Sequence, residues 1–227
     1  YDRAARLVSR SCSDGLTKYN TGQDTLPMLP QGRRILVPGQ GEDDASIIRG
    51  AGRSITNAEL LSFARAQNPD AVSIYKPHPD VEAGLRSGAL AAAKALEQAD
   101  VVTSHVDAHA LIEEVDEVWT ITSLLGFEAL LRGVSVTCTG APFYAGWGLT
   151  QDLGEVPSRR TARPDLTQLA HAVLIGYPRY VDPVRGLPCP PEVVADRLAR
   201  REIPPVGLGN RTLSKLQGLW ATVAPRR

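Results

Sequence analysis

At 227 residues, the chain is long enough for one ordinary domain and a small appendage. A hydrophobic share of 43% with 22% charged residues is that of a folded globular protein, and it excludes a disordered, collagen-like or coiled-coil chain. The 25 basic and 25 acidic residues cancel, so no net field draws the chain to nucleic acid or an anionic membrane, and any bound anion must be held by local groups.

From the N-terminus, Tyr1 is not a Met and leads at once into a helical pattern over 2–13, which reads as the interior of a longer polypeptide. Five short runs rich in Val, Ile and Thr then stand out as strands, at 34–38, 71–76, 100–104, 117–121 and 134–138. Helical patterns fall between them at 56–67, where Asn57 is a candidate cap, and at 81–98, 107–114 and 123–132. The last has the clearest limits: Thr122 or Ser123 can cap its first turn, Leu124, Phe127, Leu130 and Leu131 share a face, and Gly133 closes it. Strands alternating with helices are the pattern of βαβ units, so the expected fold is α/β, a Rossmann-like parallel sheet flanked by helices.

Residues 140–164 carry Gly, Pro, Tyr, Trp and Arg without periodicity, and helical patterns resume at 165–175, 191–201 and 211–223, joined by turns at 183–191 and 203–210. The expected organisation is an N-terminal helix and connector over 1–30, a nucleotide-binding domain over 31–185 and a helical tail over 186–227. Cys12, Cys138 and Cys189 are odd in number and far apart, which suits a reducing, cytoplasmic setting and supports neither a disulfide framework nor zinc. No stretch approaches the ~18 apolar residues of a spanning helix, and no signal peptide is evident.

Ligands of open parallel sheets bind outside the carboxyl ends of the strands, which directs attention to five loops. The first reads Gly39-Gln-Gly-Glu42-Asp43-Asp44-Ala-Ser46, and its three carboxylates are either an acidic helix start favoured by the helix dipole or a catalytic carboxylate with neighbours that tune it. Its glycines lack the third member of a dinucleotide fingerprint, which argues against NAD. The second loop, Lys76-Pro77-His78-Pro79-Asp80, holds an imidazole on stiff extended backbone beside a lysine, either as a phosphate site or as a simple turn. The helix start at Thr122 and Ser123 offers hydroxyls and unpaired amides to an anion, with Glu128 placed for a ribose hydroxyl; the alternative is a capped core helix. Tyr144 and Trp147, set among glycines, either line a sugar or base pocket or plug the core, and Arg159, Arg160 and Arg163 form either a lid over an anion or a solvated face. His105, His109 and His171 have no metal-ligand spacing and read as structural, and no G-x-S-x-G elbow supports a hydrolase triad.

Taken in order, Gln40-x-Glu42-Asp43-Asp44-Ala45-Ser46, Lys76-Pro77-His78-Pro79-Asp80, Thr122-Ser123-Leu-Leu-Gly126-Phe127-Glu128-Ala-Leu-Leu-Arg132-Gly133 and Pro142-Phe-Tyr144-Ala-Gly146-Trp147-Gly148 resemble the capsule polysaccharide biosynthesis family of the KpsC/LipA type. Thr17-Lys18-Tyr19-Asn20 and Tyr177-Pro178-Arg179-Tyr180 extend the likeness over most of the chain. The resemblance implies a retaining β-Kdo glycosyltransferase that uses CMP-Kdo, in a GT-B-type architecture of two Rossmann-like halves, of which this chain is the C-terminal donor-binding half. It implies as partners the missing N-terminal half and a Kdo-bearing lysophosphatidylglycerol acceptor, peripherally at the cytoplasmic face of the inner membrane. On that footing Lys76, His78, Pro79 and the Ser123 helix start hold the CMP phosphate without a metal or other cofactor. Asp44 is the nucleophile, with Glu42 and Asp43 orienting it, and Arg159 or Arg160 meets the donor carboxylate. Two other readings stay open: a non-catalytic sugar-nucleotide or polysaccharide-binding module of a capsule assembly and export complex, and an inverting CMP-sugar transferase in which the acidic loop is a general base.

Overall fold

The computed structural model describes residues 1–17, 26–52 and 55–202. The resemblance at 18–20, the turn at 203–210 and the helical pattern at 211–223 lie outside the described residues. The chain divides into two compact units, Tyr1–Pro178 and Arg179–Arg227.

The first unit begins with α1 (Asp2–Ser13), which buries Ala4 and Leu7. Strand β1 (Arg34–Pro38) follows, then α2 (Ala45–Gly50), α3 (Asn57–Gln67), β2 (Val72–Lys76), the single turns α4 (Pro79–Glu82) and α5 (Ala92–Ala95), and β3 (Val101–Val102). The chain continues through α6 (Ala108–Ile112), β4 (Glu117–Thr120), α7 (Leu124–Leu131), β5 (Ser135–Cys138), β6 (Gln151–Asp152) and α8 (Leu166–His171), which runs into a wide π turn over Ala172–Gly176. All strands pair in parallel in the order β3-β2-β1-β4-β5-β6. The five expected strands are present, and the sixth, β6, falls inside the stretch expected to be irregular.

Side chains alternate across a strand, so each strand serves two cores. Ile35, Val37, Tyr75, Trp119 and Ile121 meet Ile47 of α2, Leu60, Leu61 and Ala64 of α3, and Ala95 of α5. Leu36, Ile74, Val118, Val136 and Cys138 meet Leu111 and Ile112 of α6, Phe127 and Leu130 of α7, and Leu169 of α8. Both faces are therefore covered, which is why the strands are near-continuous apolar runs.

Several helix ends follow side-chain chemistry. Asp44, Asp107 and Ser123 accept a hydrogen bond from the second amide of α2, α6 and α7 respectively. Thr56, not Asn57, caps α3, in a reciprocal box with Glu59. The helix expected over 81–98 is absent: Gly84 (φ +67°) and Gly88 (φ +109°) turn the chain away, leaving only α4 and α5.

The second unit, in its described part, holds an antiparallel pair, β7 (Tyr180–Val181) and β8 (Pro188–Cys189), followed by α9 (Pro191–Ala199). Arg197 of α9 pairs with buried Asp182 at 3.2 Å.

Candidate functional site

The strand order reverses at β1, whose two neighbours β2 and β4 continue in opposite directions through the sequence, and the loops after these strands splay apart there. The loops after β1 and β2 touch. The Gly39 amide donates to the Lys76 carbonyl at 2.7 Å, and a Cβ on Gly39 would lie 2.7 Å from the Tyr75 hydroxyl and 3.2 Å from the His78 nitrogen, so this approach requires glycine.

A cavity of about 320 Å³ opens at this rim, lined after β1 by Gly39, at the end of β2 and beyond it by Lys76, His78 and Pro79, and at α7 by its cap Ser123 and by Glu128. Lys76 is only 6% exposed, and burial pushes its ammonium pKa down while the charges of Glu82 and Asp107 hold it up. His78 is the cap of α4: its Nδ1 accepts the Asp80 amide at 3.1 Å, so the neutral ring carries its proton on Nε2. Ser123 caps α7 through its Oγ, which accepts the Leu125 amide at 3.2 Å. Lys76, His78, Pro79, Ser123 and Glu128 thus meet in one cavity, as five of the expected donor-binding residues.

The same cavity is lined by His105 and Asp107, beyond β3, and by Glu82, none of them among the expected ligands. His105, read from the sequence as structural, stands in the left-handed region (φ +61°), a conformation that side-chain-bearing residues seldom adopt. Its place in the loop that follows a strand was the signal that could have marked it.

The three carboxylates lie further along the loop whose first residue lines the cavity, and each has its own partner. Glu42 Oε1 accepts the Asn57 amide at 2.8 Å, Asp43 pairs with Arg86 at 3.7 Å, and Asp44 Oδ1 accepts the Ser46 amide at 3.2 Å. Separate partners allow three like charges to stand together.

Other expected ligands are placed elsewhere. Thr122 is buried outside the cavity lining, its hydroxyl donating to Ser46 Oγ at 3.1 Å. Tyr144 is fully buried, donates to the Ser123 carbonyl, and packs between Phe127 and Phe143 with ring centroids 6.1 and 5.1 Å away. Trp147 donates its indole N–H to the Phe143 carbonyl at 2.7 Å. Arg160 donates to the Pro142 and Ala145 carbonyls at 2.6 and 2.7 Å, with its guanidinium 5.6 Å from the Trp147 ring centroid, and Arg163 likewise donates to backbone carbonyls. Arg159 is exposed. Tyr144, Trp147, Arg160 and Arg163 thus brace their own loop in place of forming an aromatic wall and a lid, with Tyr144 supporting the start of α7 from behind. Among the described residues no three His, Cys, Asp or Glu side chains are grouped to hold a metal, and all three cysteines are free thiols.

A family model described as capsule polysaccharide biosynthesis protein matches residues 7–180. The lipopolysaccharide-processing protein LpsZ of Rhizobium meliloti is 47% identical over 182 residues, 79% of this chain and 41% of that protein. The capsule polysaccharide modification protein LipA of Neisseria meningitidis serogroup B is 44% identical over 204 residues, 89% of this chain and 29% of that protein. Among solved structures, Thermosulfurimonas dismutans KpsC, a β Kdo 2,4 transferase, matches with a TM-score of 0.79 at 34% identity, covering 87% of this chain and 62% of its own. The β Kdo 2,7 transferase of the same organism matches with a TM-score of 0.74 at 35% identity, covering 88% and 62%. The chain therefore spans less than half the length of these curated relatives.

Proposed function

Because the chain belongs to the capsule polysaccharide biosynthesis protein family, we propose that it is the donor-binding half of a GT-B-type transferase that moves Kdo from CMP-Kdo onto the linker of a lipid-anchored capsular polysaccharide. The observation that carries this reading is the cavity at the reversal of strand order, where Lys76, His78 and the start of α7 converge. CMP leaves as a phosphate monoester, and the charge that develops on it is met by the Lys76 ammonium, the His78 Nε2–H and the amide end of α7. These groups neutralise one phosphate, so we assign no metal ion to the step. Glu128, which lines the same cavity, binds the ribose.

Retention by double displacement needs a carboxylate on the face of the sugar opposite CMP. Asp44 takes that role: its carboxylate bonds to the anomeric carbon as the bond to the phosphate oxygen breaks, and an acceptor hydroxyl then displaces it, losing its proton to solvent and restoring the free carboxylate. Glu42 and Asp43 orient the loop. The acceptor is a Kdo-bearing lysophosphatidylglycerol, and the half-module works with an N-terminal half at the cytoplasmic face of the inner membrane. No helix among the described residues is long and apolar enough to cross a membrane.

The test is transfer by the full-length protein with CMP-Kdo and a synthetic Kdo acceptor. Asp44→Ala abolishes transfer while CMP still binds, mass spectrometry finds a Kdo adduct on Asp44 in the native protein, and His78→Ala weakens CMP about tenfold, the value of one charge-assisted hydrogen bond. Undiminished transfer by Asp44→Ala removes the nucleophile. The capping bond of Asp44 to Ser46 favours one second reading, a binding module in which this aspartate is purely structural. In that case Asp44→Ala lowers the Tm and no adduct forms.

A further inference from the structure

Gln40 and Asn57 bear no charge and have no part in the proposed chemistry, yet they are 5% and 1% exposed. They pair as two strand residues would: the Gln40 amide donates to Asn57 Oδ1 at 2.9 Å, and Asn57 Nδ2 donates to the Gln40 carbonyl at 2.8 Å and the Gly88 carbonyl at 2.9 Å. The Asn57 backbone amide holds Glu42. At the other end, Gln40 Nε2 donates to Thr122 Oγ1 at 3.1 Å, and its Oε1 accepts the Thr122 amide at 3.0 Å and Thr120 Oγ1 at 3.2 Å. Thr122 Oγ1 in turn donates a hydrogen bond to Ser46 Oγ, two residues beyond Asp44, while Thr120 Oγ1 accepts the Ser123 amide at 3.0 Å.

We propose that Gln40 and Asn57 form a buried amide clasp that fixes the acidic loop against the Ser123 start of α7, and so act as positioning residues for Kdo transfer. This rests on the reading of Asp44 and the adjoining cavity given above. The two loops leave the rim on opposite sides of the strand-order reversal, and no ladder hydrogen bond joins them beyond the strands. A primary amide with its donor and acceptor ends both engaged cannot flip without stranding buried partners, so the link has one geometry. Reaction geometry is steep: a displacement of about 1 Å lowers a rate by about 100-fold.

Gln40→Glu tests this with little change of shape. As a carboxylate it has no donor for Thr122, whose hydroxyl then turns to it and releases Ser46. As a carboxylic acid it restores the amide's pattern, its O–H standing in for Nε2–H. The groups that hold position 40 are uncharged: Asn57 on α3, Thr120 at the end of β4, and Thr122. The ionisable groups around them are Glu42 and Asp43 on the same loop, Tyr75 of β2 against Gly39, and Arg86 beside Asp43. Burial with carboxylates at hand raises the pKa of an introduced acid.

In the full-length protein, kcat for Gln40→Glu at about pH 8 is about 10- to 100-fold below the native value with CMP affinity within about twofold, and the variant-to-native ratio climbs severalfold towards about pH 6. A ratio that stays flat with pH, or a parallel loss of CMP affinity, overturns the clasp. Hydrogen exchange of the Ser46 amide, compared with the native protein at each pH, gives a readout free of turnover: protection falls at about pH 8 and recovers at about pH 6. Absence of transfer by the native protein defeats the proposed function, and the exchange result then still decides the clasp. Unchanged exchange in the variant at both pH values overturns it.

Discussion

Lys76 ends β2 almost fully buried, and the charges of Glu82 and Asp107 offset that burial only in part. Burial lowers its pKa from 10.5, so between that lowered value and 10.5 the unfolded chain binds the extra proton, and stability rises with pH across that window. Below it, the folded protein carries a poorly solvated cation that Glu82 and Asp107 relieve in part and a bound anion relieves further. Lys76→Met therefore raises the Tm of the ligand-free protein, by about 2–4 °C for each ~1 kcal/mol recovered, while CMP affinity falls. Calorimetry with and without CMP checks both signs, and a lower Tm without ligand contradicts the account. Lys76 and His78 were legible because strand ends can be read from a sequence. Tyr144 was not, because its partner is remote in sequence: a Cβ on Gly126 would fall 2.3 Å from its hydroxyl, and only the fold brings them together.

Helix limits were legible at several side-chain caps, as at Asp107, Ser123 and Asp165, whose carboxylate accepts the Gln168 amide at 2.8 Å, but not at Asp44 or His78, which cap the short helices α2 and α4. The segment 81–98 was misread because its alanines favour a helix, whereas packing demands a bare α-carbon at Gly88. A Cβ there would lie 2.7 Å from the Gln40 carbonyl and 2.8 Å from Asn57 Nδ2, on backbone already at φ +109°. Gly88→Ala is expected to destabilise the protein by about 1–3 kcal/mol in urea unfolding, as overpacking does. An unchanged midpoint would show that the 84–90 turn yields freely. Strand β6 escaped notice for the opposite reason: Gln151 and Asp152 have no strand propensity, and only their pairing with Thr137 and Cys138 makes them one.

Fold class was the most legible property, because alternation of strands and helices in sequence restricts the topologies open to the chain. Strand order was beyond the sequence, and with it the way four loops surround one cavity. A GT-B module as proposed needs a second half to carry the acceptor, and this chain covers 29–41% of its curated relatives. The chain expressed alone is expected to bind CMP by titration calorimetry yet to transfer Kdo only when joined to the rest of its parent polypeptide. Full-rate transfer by the isolated chain would contradict that division of labour. The outermost strands of the sheet, β3 and β6, are only two residues each. Each offers a neighbouring copy only two residues of ladder, too short a template for a further strand to pair on.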